Sequence, residues 1–298
     1  SFSNPIKIIF LCGSKYIKEK ENKRIVLKKY LEEKNKKNKV LILEENFTFR
    51  KKDRDLFSYG QIGLKNLHDV EKLTALLADK IFIIHESFST AAEIGVFSTN
   101  ENLYDKICIM APDKYNFQED VISAFLKLGF WKNEKPLLKP VIRFLFKPEI
   151  QIISEDKNVT LTSFIKNKIN DIMADKIDKF IDIEEGSINL SISKNKFKKS
   201  KNASIYEIDS SKKKVIVFLY KDSIRHYIIA LFLIPEFKKE FRKTSKILDS
   251  IKLVKIWLEN LLENTIQKKE TEILETYKFT YQISGISDIE YEKAIAYT

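Results

Sequence analysis

The first half of the sequence alternates short, almost wholly apolar runs with amphipathic charged segments. Apolar runs of this length and composition predict strands that are buried on both faces, at residues 6–12, 40–43, 81–84 and 107–110. The segments between them carry apolar side chains at helical spacing, which predicts helices at residues 17–33, 66–78 and 91–98. Fully apolar strands that alternate with helices favour an α/β fold with a doubly wound parallel sheet, of the Rossmann or flavodoxin type.

The second half of the chain shows a different pattern. Because the strand–helix alternation stops near Asp156, we divide the 298 residues into two domains, 1–150 and 151–298. The second domain is expected to be basic and mostly helical, with helices at residues 161–183, 224–233, 237–241 and 247–262. Strands are predicted at residues 187–193, 215–220 and 276–283. Helices followed by a terminal β-segment are one pattern of a winged-helix module.

The chain is strongly basic. It has 53 Lys and Arg against 42 Asp and Glu, a net charge of +11, while 44% hydrophobic residues exclude a disordered chain. Lysine spread along helices is typical of solvated surfaces, but an anionic partner such as nucleic acid also fits. The densest cluster is Lys194–Lys221, in which Glu207 and Asp209 are the only acids.

Several classes of protein are disfavoured by what the sequence lacks. Two cysteines, Cys12 and Cys108, lie in apolar runs, so we expect core residues in a reducing, cytoplasmic protein. The longest apolar run, Tyr227–Pro235, has about half of the roughly 20 residues that cross a bilayer, so no membrane span is expected. No Cys/His spacing predicts a metal, and no glycine-rich phosphate loop predicts a bound cofactor.

The candidate site lies beyond the strands of the first domain. In doubly wound sheets ligands bind outside the carboxyl ends of the strands. The residues that follow or end the predicted strands are therefore the candidates for substrate contact: Cys12, Gly13, Ser14, Asn46, Phe47, His85, Ser89 and Thr90.

A group of acidic residues surrounds the third predicted strand. Thr90 and Glu93 fit a capping box, which predicts Thr90 as the helix N-cap and Glu93 in the first turn, where backbone N–H groups favour an ionised carboxylate. Glu71 and Glu86 lie before and after the strand. A structural cap is one interpretation of this pattern. Paired carboxylates also suit N-glycosidic cleavage, in which one attacks the sugar and the other assists the departing base.

At these residues the sequence resembles the nucleoside deoxyribosyltransferases. The resemblance rests on Ile9–Gly13, an acid eight residues before Asp79, and Glu93-Ile94-Gly95 at the start of a helix. It implies that Glu93 is the covalent nucleophile and that Glu71 contacts the base. It also implies an oligomer, because sites in that family borrow a residue from a neighbouring subunit.

A narrower resemblance is to the deoxyribosyltransferase-like effectors of type II retrons. It is carried by Phe82–Ser87, Glu93–Leu103 and Lys106–Ile109. It implies a toxin of anti-phage defence by abortive infection that hydrolyses NAD to nicotinamide and ADP-ribose, with NAD as substrate and not as cofactor. The implied partners are a retron reverse transcriptase and its branched RNA–DNA hybrid, which hold the toxin in check.

The sequence departs from the deoxyribosyltransferase pattern and leaves other functions open. Glutamates stand at 71 and 86 where that family has Asp, and the stretch Phe88–Thr90 lacks the usual glycine. One alternative is a non-catalytic module that senses a nucleotide and binds nucleic acid. Another is a deoxyribosyltransferase or N-glycosidase that acts on nucleosides or nucleotides. A Rossmann-like phosphoribohydrolase is disfavoured because no glycine-rich stretch precedes Thr90.

Overall fold

Strands and helices alternate along the computed structural model of the chain. The structure describes residues 6–13, 23–48, 57–58, 66–85, 87–113, 131–132, 135–136, 141–145, 164–165, 168–169, 171–182, 190–194, 204–271, 274–284, 291 and 294–295. The strands are β1 (Lys7–Cys12), β2 (Asn38–Leu41), β3 (Phe47–Thr48), β4 (Phe57–Ser58), β5 (Lys80–Ile84), β6 (Ile107–Asp113), β7 (Trp131–Lys132), β8 (Lys135–Pro136), β9 (Val141–Leu145), β10 (Phe164–Ile165), β11 (Lys168–Ile169), β12 (Ile192–Lys194), β13 (Ser204–Asp209), β14 (Lys214–Tyr220) and β15 (Lys278–Ser284). The helices are α1 (Lys23–Lys34), α2 (Leu43–Asn46), α3 (Leu67–Leu77), α4 (Phe88–Phe97), α5 (Asp171–Ile181), α6 (Lys221–Leu231), α7 (Pro235–Phe241) and α8 (Ile247–Gln267), with a 3₁₀ helix at Glu101–Lys106.

Five parallel strands form the main sheet, in the order β2-β1-β5-β6-β9. This confirms the predicted doubly wound parallel sheet. The strand predicted to close at Pro112 continues to Asp113, with Pro112 opposite Phe144 of β9. Because β5 ends opposite Met110, the missing N–H of Pro112 costs no ladder bond on that side of β6.

Helices cover both faces of this sheet. On one face Ile9 and Leu11 of β1 belong to a core that they share with α1, α5 and neighbouring strands; its helical members are Leu27, Leu31, Met173, Ile177, Phe180 and Ile181. On the other face Phe10 contacts Phe97 of α4, with ring centroids 6.5 Å apart. Adjacent strand residues point to opposite faces, so each apolar strand contributes to both cores.

Helix α5 differs from its predicted extent. A helix predicted at residues 161–183 occupies only Asp171–Ile181, because β10 and β11 form an antiparallel pair ahead of it and Ile169 packs against the core of the parallel sheet. By packing, one compact unit holds residues 6–57 and 74–185, and the other holds 1–5, 58–73 and 186–298. The domain boundary at residue 150 stays a prediction, while α5 lies beyond it in the unit of the parallel sheet.

The second unit combines three consecutive helices with a four-stranded mixed sheet of order β12-β13-β14-β15. The predicted helices correspond to α6, α7 and α8, and two predicted strands correspond to β14 and β15. β13 and β14 form an antiparallel hairpin, and β15 returns parallel to β14. The winged-helix arrangement stays a prediction. Within the described residues, no helix combines the length and the apolar character that crossing a bilayer requires.

A half-buried carboxylate connects β12, β13 and the segment after α8. Glu270 accepts hydrogen bonds from Tyr206 Oη at 2.6 Å and from Lys194 Nζ at 2.5 Å. Burial acts to raise the pKa of Glu270, but the hydrogen bonds from Lys194 and Tyr206 outweigh it and hold the pKa below its ordinary value. Burial and the same carboxylate raise the pKa of Tyr206.

We expect Glu270→Gln to lower the free energy of unfolding at pH 7 by about 1–2 kcal/mol, because a charged acceptor is lost. The folded pKa is depressed, so this stabilisation is present above the ordinary carboxyl pKa of about 4.3 and is lost as the pH falls through the folded value. Urea unfolding of parent and variant should therefore converge at low pH. Asp175→Asn, in an exposed pair with Lys179, is the control and should change little. A gap that is constant with pH would contradict this.

Candidate active site at the carboxyl edge of the parallel sheet

The order of the sheet reverses between β1 and β5. β1 has β2 on its outer side, whereas β5 is followed outward by β6 and β9. The helices after these strands cover opposite faces, α1 with the Ile9 face and α4 with the Phe10 face. At such a reversal the two connections diverge and leave a crevice outside the carboxyl ends of the strands. Since Cys12 lies opposite Ile83, the residues that follow β1 and β5 border the same crevice.

The end of β1 is backed by an ion pair between a buried arginine and a partly exposed glutamate. Arg24 of α1 is 4% exposed and binds Glu44, just after β2, in a two-pronged contact with both N···O distances at 3.0 Å. The side chain of Arg24 lies so close to Gly13 that a Cβ there would meet Arg24 Cδ at 2.7 Å and Cγ at 2.9 Å. Glycine at this predicted substrate-contact position therefore leaves room for the arginine.

The start of α4 corrects one prediction. The N-cap is Ser87 and not Thr90: Ser87 Oγ accepts the N–H of Thr90 at 3.3 Å, and Thr90 Oγ1 accepts the N–H of Ser87 at 3.1 Å. This is a capping box with threonine in place of the usual glutamate. Thr90 cannot be the N-cap, because Phe88, Ser89 and Thr90 are themselves helical. The Thr90 hydroxyl also donates to the Ser87 carbonyl at 2.7 Å, which strengthens the link between Thr90 and the cap at Ser87.

His85 lies between β5 and this cap. Its N–H continues the sheet by donating to the Met110 carbonyl at 2.8 Å, and its Nδ1 is 3.4 Å from Thr90 Oγ1. Burial lowers the pKa of His85 below its ordinary value of about 6.5, because the charged form is poorly solvated there. A neutral imidazole therefore borders the crevice at neutral pH.

Glu93 lies one turn further into α4 than predicted. Because the helix begins at Phe88, Glu93 is its sixth residue and lies outside the first turn. The helix N-terminus favours a negative charge in the first turn, so this support is weaker at Glu93. The residue is half-buried, and its Oε2 atom is shielded from solvent. The Cα–Cβ bond of a helical residue tilts toward the helix N-terminus, so the side chain of Glu93 starts toward the crevice edge.

The other predicted site residues that the structure describes lie on three different elements. Ser89 is exposed in the first turn of α4, and Cys12 is buried at 3% exposure at the end of β1. Glu71 is half-buried on α3. Ser14 and Glu86, and the side chains of Asn46 and Phe47, lie outside the described residues, so their roles stay predictions. In the described part of the chain, no group of three or more His, Cys, Asp or Glu side chains could hold a metal ion.

The comparison with protein families covers both halves of the chain. The model of the STM3845 retron effector protein family matches residues 20–291. The chain belongs to this family. No curated protein matches the chain. The family assignment agrees with the retron effector part of the resemblance noted for Phe82–Ser87 and Glu93–Leu103, and it associates the protein with a retron defence system. The nucleoside deoxyribosyltransferase-like type stays a prediction.

Several site residues of this retron effector are not evident from its sequence. Arg24 and Glu44 are 20 positions apart on separate elements, so no local spacing pairs them. Ser87 could be found from the sequence, because a Ser-x-x-Thr pattern begins there, three positions before the Thr-x-x-Glu pattern that begins at Thr90. Phe88 follows it and is 98% exposed, which only the structure reveals.

We expect Gly13→Ala to destabilise the retron effector by about 1–3 kcal/mol, because the added methyl group displaces the buried Arg24 from its position against Glu44. Gly95→Ala is the matched control. A Cβ at Gly95 meets nothing within 4 Å, so this variant should gain roughly 0.5–1 kcal/mol from the better helix propensity of alanine. Urea unfolding measures the stability of both variants. Equal stability would show that Arg24 moves away from the added methyl group at no cost, and would contradict this prediction.

Proposed function

We propose that this retron effector is a toxin that cleaves an N-glycosidic bond, with NAD as the substrate and nicotinamide and ADP-ribose as the products. The observation that supports it most is the position of Glu93. The carboxylate belongs to the helix that follows the central strand β5, beside the crevice where the sheet order reverses, and one of its oxygens is shielded from solvent.

In the proposed reaction the Glu93 carboxylate attacks C1′ of the nicotinamide riboside. The C–N bond breaks, and its electron pair leaves with nicotinamide, which neutralises the positive ring. Water then hydrolyses the glycosyl ester, giving ADP-ribose and one proton and restoring the carboxylate. By motif position, Glu71 or Glu86 assists the departing base or activates the water. The half-buried, neutral His85 is suited to orient a substrate hydroxyl at the same edge.

A toxin in a defence system needs an inhibitor. A toxin that consumes NAD must be silent until infection, and we propose the reverse transcriptase of the retron and its RNA–DNA hybrid as the inhibitory partners. Membership in the retron effector family supports the association with a retron, and the basic second unit supports contact with a polyanion.

We expect Glu93→Gln to reduce nicotinamide release by a factor of about a thousand or more, because an amide cannot form the glycosyl ester. Product chromatography after incubation with NAD and with a panel of nucleosides measures the loss and identifies the substrate. Glu33→Gln, on the exposed side of α1, is the matched control and should retain the parent rate. Parent-like release by Glu93→Gln would refute the assignment of the nucleophile.

A second candidate function, nucleic-acid binding, is favoured by a basic corner of the four-stranded sheet. We define the lysine corner as Lys212, Lys213, Lys214 and Lys278. The first three lie at the tip of the β13–β14 hairpin, and Lys278 joins them because its N–H donates to the Lys213 carbonyl at 2.9 Å and it pairs in register with Lys214.

The lysine corner is only partly neutralised by its own carboxylate. Asp209 lies 3.6 Å from Lys212 Nζ, and hydrogen bonds from the Ser211 hydroxyl and the Lys212 N–H lower the pKa of Asp209. The Lys212 side chain nevertheless remains 77% exposed. Lys213 has a φ of 47°, a left-handed conformation that favours glycine or asparagine and that here holds a lysine at the hairpin tip.

We expect the double variant K212A/K213A to weaken binding to an RNA–DNA hybrid duplex and to reduce the slope of log affinity against log salt by about two, one for each phosphate that is no longer neutralised. K34A/K179A removes two exposed lysines from the other unit and is the charge-matched control. Fluorescence anisotropy over a salt series measures the slopes. Identical slopes for the two double variants would exclude the lysine corner as the binding surface.

A further inference from the structure

Phe88 is presented to solvent at the edge of the candidate active site. It is 98% exposed, whereas the other large apolar side chains of α4, Ile94 and Phe97, are almost completely buried. It is the first residue of α4 and is three positions beyond His85, at the end of the central strand β5. Phe88 therefore contributes nothing to the core of the parallel sheet, and its aromatic side chain is not explained by folding.

The backbone that carries Phe88 is held in place on both sides. Ser87 and Thr90 exchange hydrogen bonds across it, and the N–H of Ala91 donates to the Ser87 carbonyl at 3.1 Å. Thr90 is fully buried and is within 3.4 Å of His85. The backbone at Phe88 is therefore fixed, so only the rotamer of the ring has to be ordered when a ligand stacks on it.

We propose that Phe88 stacks on the heteroaromatic base of the substrate, an inference that rests on the proposed N-glycosidase function. Aromatic side chains are sequence-tolerant platforms for bases, because every base has a π-face. Phe88 and Glu93 are five positions apart, which separates them by about 7.5 Å along the helix axis and by about 140° around it. Side chains in a helix tilt toward its N-terminus, so a nucleoside that lies across the start of α4 can place its sugar at the Glu93 carboxylate and its base at the Phe88 ring.

Two ligands that differ only in the base isolate this contact. Nicotinamide mononucleotide carries the ring and ribose 5-phosphate lacks it, and calorimetric titration into full-length Glu93→Gln protein measures affinity without turnover. In that background Phe88→Ala should weaken the binding of nicotinamide mononucleotide about tenfold and leave ribose 5-phosphate unchanged. Phe88→Tyr should keep the parent affinity, and Leu233→Ala, at another exposed apolar side chain in the second unit, should change neither ligand.

The outcomes separate this inference from the proposed function. If Glu93→Gln abolishes nicotinamide release but Phe88→Ala binds nicotinamide mononucleotide as the parent does, stacking is refuted and the nucleophile stands. A parent that binds this ligand no better than ribose 5-phosphate refutes stacking as well. A change of oligomeric mass in Phe88→Ala, with ligand affinity intact, would show that the ring contacts a protein and would overturn the inference. Nicotinamide release that survives Glu93→Gln refutes both.

Discussion

The need to hide both faces of a parallel sheet determines where the candidate site lies in this protein. Strands such as β1 and β5 carry apolar side chains on both sides, so helices must cover each face. Helix α1 covers one face beside β1, and α4 covers the other beside β5. Because the chain changes faces between these two strands, a crevice opens at their carboxyl ends. The position of Gly13, His85 and Phe88 around it follows from core formation, before any catalytic requirement is considered.

The same packing places lysines at the ends of helices. Lys106 is 8% exposed, and its Nζ donates to the carbonyls of Ala75, Leu76 and Ala78 at the C-terminus of α3, at 2.8–3.0 Å. Lys7 Nζ donates to the Ile181 carbonyl, the last residue of α5, at 2.6 Å. These ammonium groups satisfy carbonyls that have no intrahelical partner and lie at the negative end of the helix dipole. Part of the net charge of +11 is therefore structural and is not available to a polyanion. The exposed lysine corner is for this reason a better indication of nucleic-acid binding than the overall charge.

The parts of the fold that the sequence predicts correctly depend on local patterns. Buried strands and amphipathic helices repeat within a few residues, so the predictions for β1, β5 and α3 lie close to the actual bounds, whereas α8 continues past its predicted end at residue 262 to Gln267. β13 is not predicted, because its exposed positions are polar and only Ser204 and Tyr206 are buried, which obscures the apolar signal. The predicted N-cap of α4 is wrong because two overlapping cap patterns compete, and the choice depends on backbone geometry. The Arg24–Glu44 pair is not predictable from spacing, since tertiary packing alone brings α1 and the end of β2 together.

The corrected start of α4 bears on the class of substrate that the proposed nucleophile would suit. In the first turn, Glu93 would be kept ionised by backbone N–H groups; in the second turn this support is weak, because the effect falls off within one turn. Glu93 is half-buried with one oxygen shielded from solvent, and in the proposed reaction this carboxylate faces a cationic ring. The nicotinamide ring of NAD is such a cation, held beside the carbon that is attacked, whereas an ordinary nucleoside brings a neutral base. In the proposed reaction, a substrate with a positively charged leaving group brings its own counter-charge to the carboxylate, which classical base exchange with a neutral base does not.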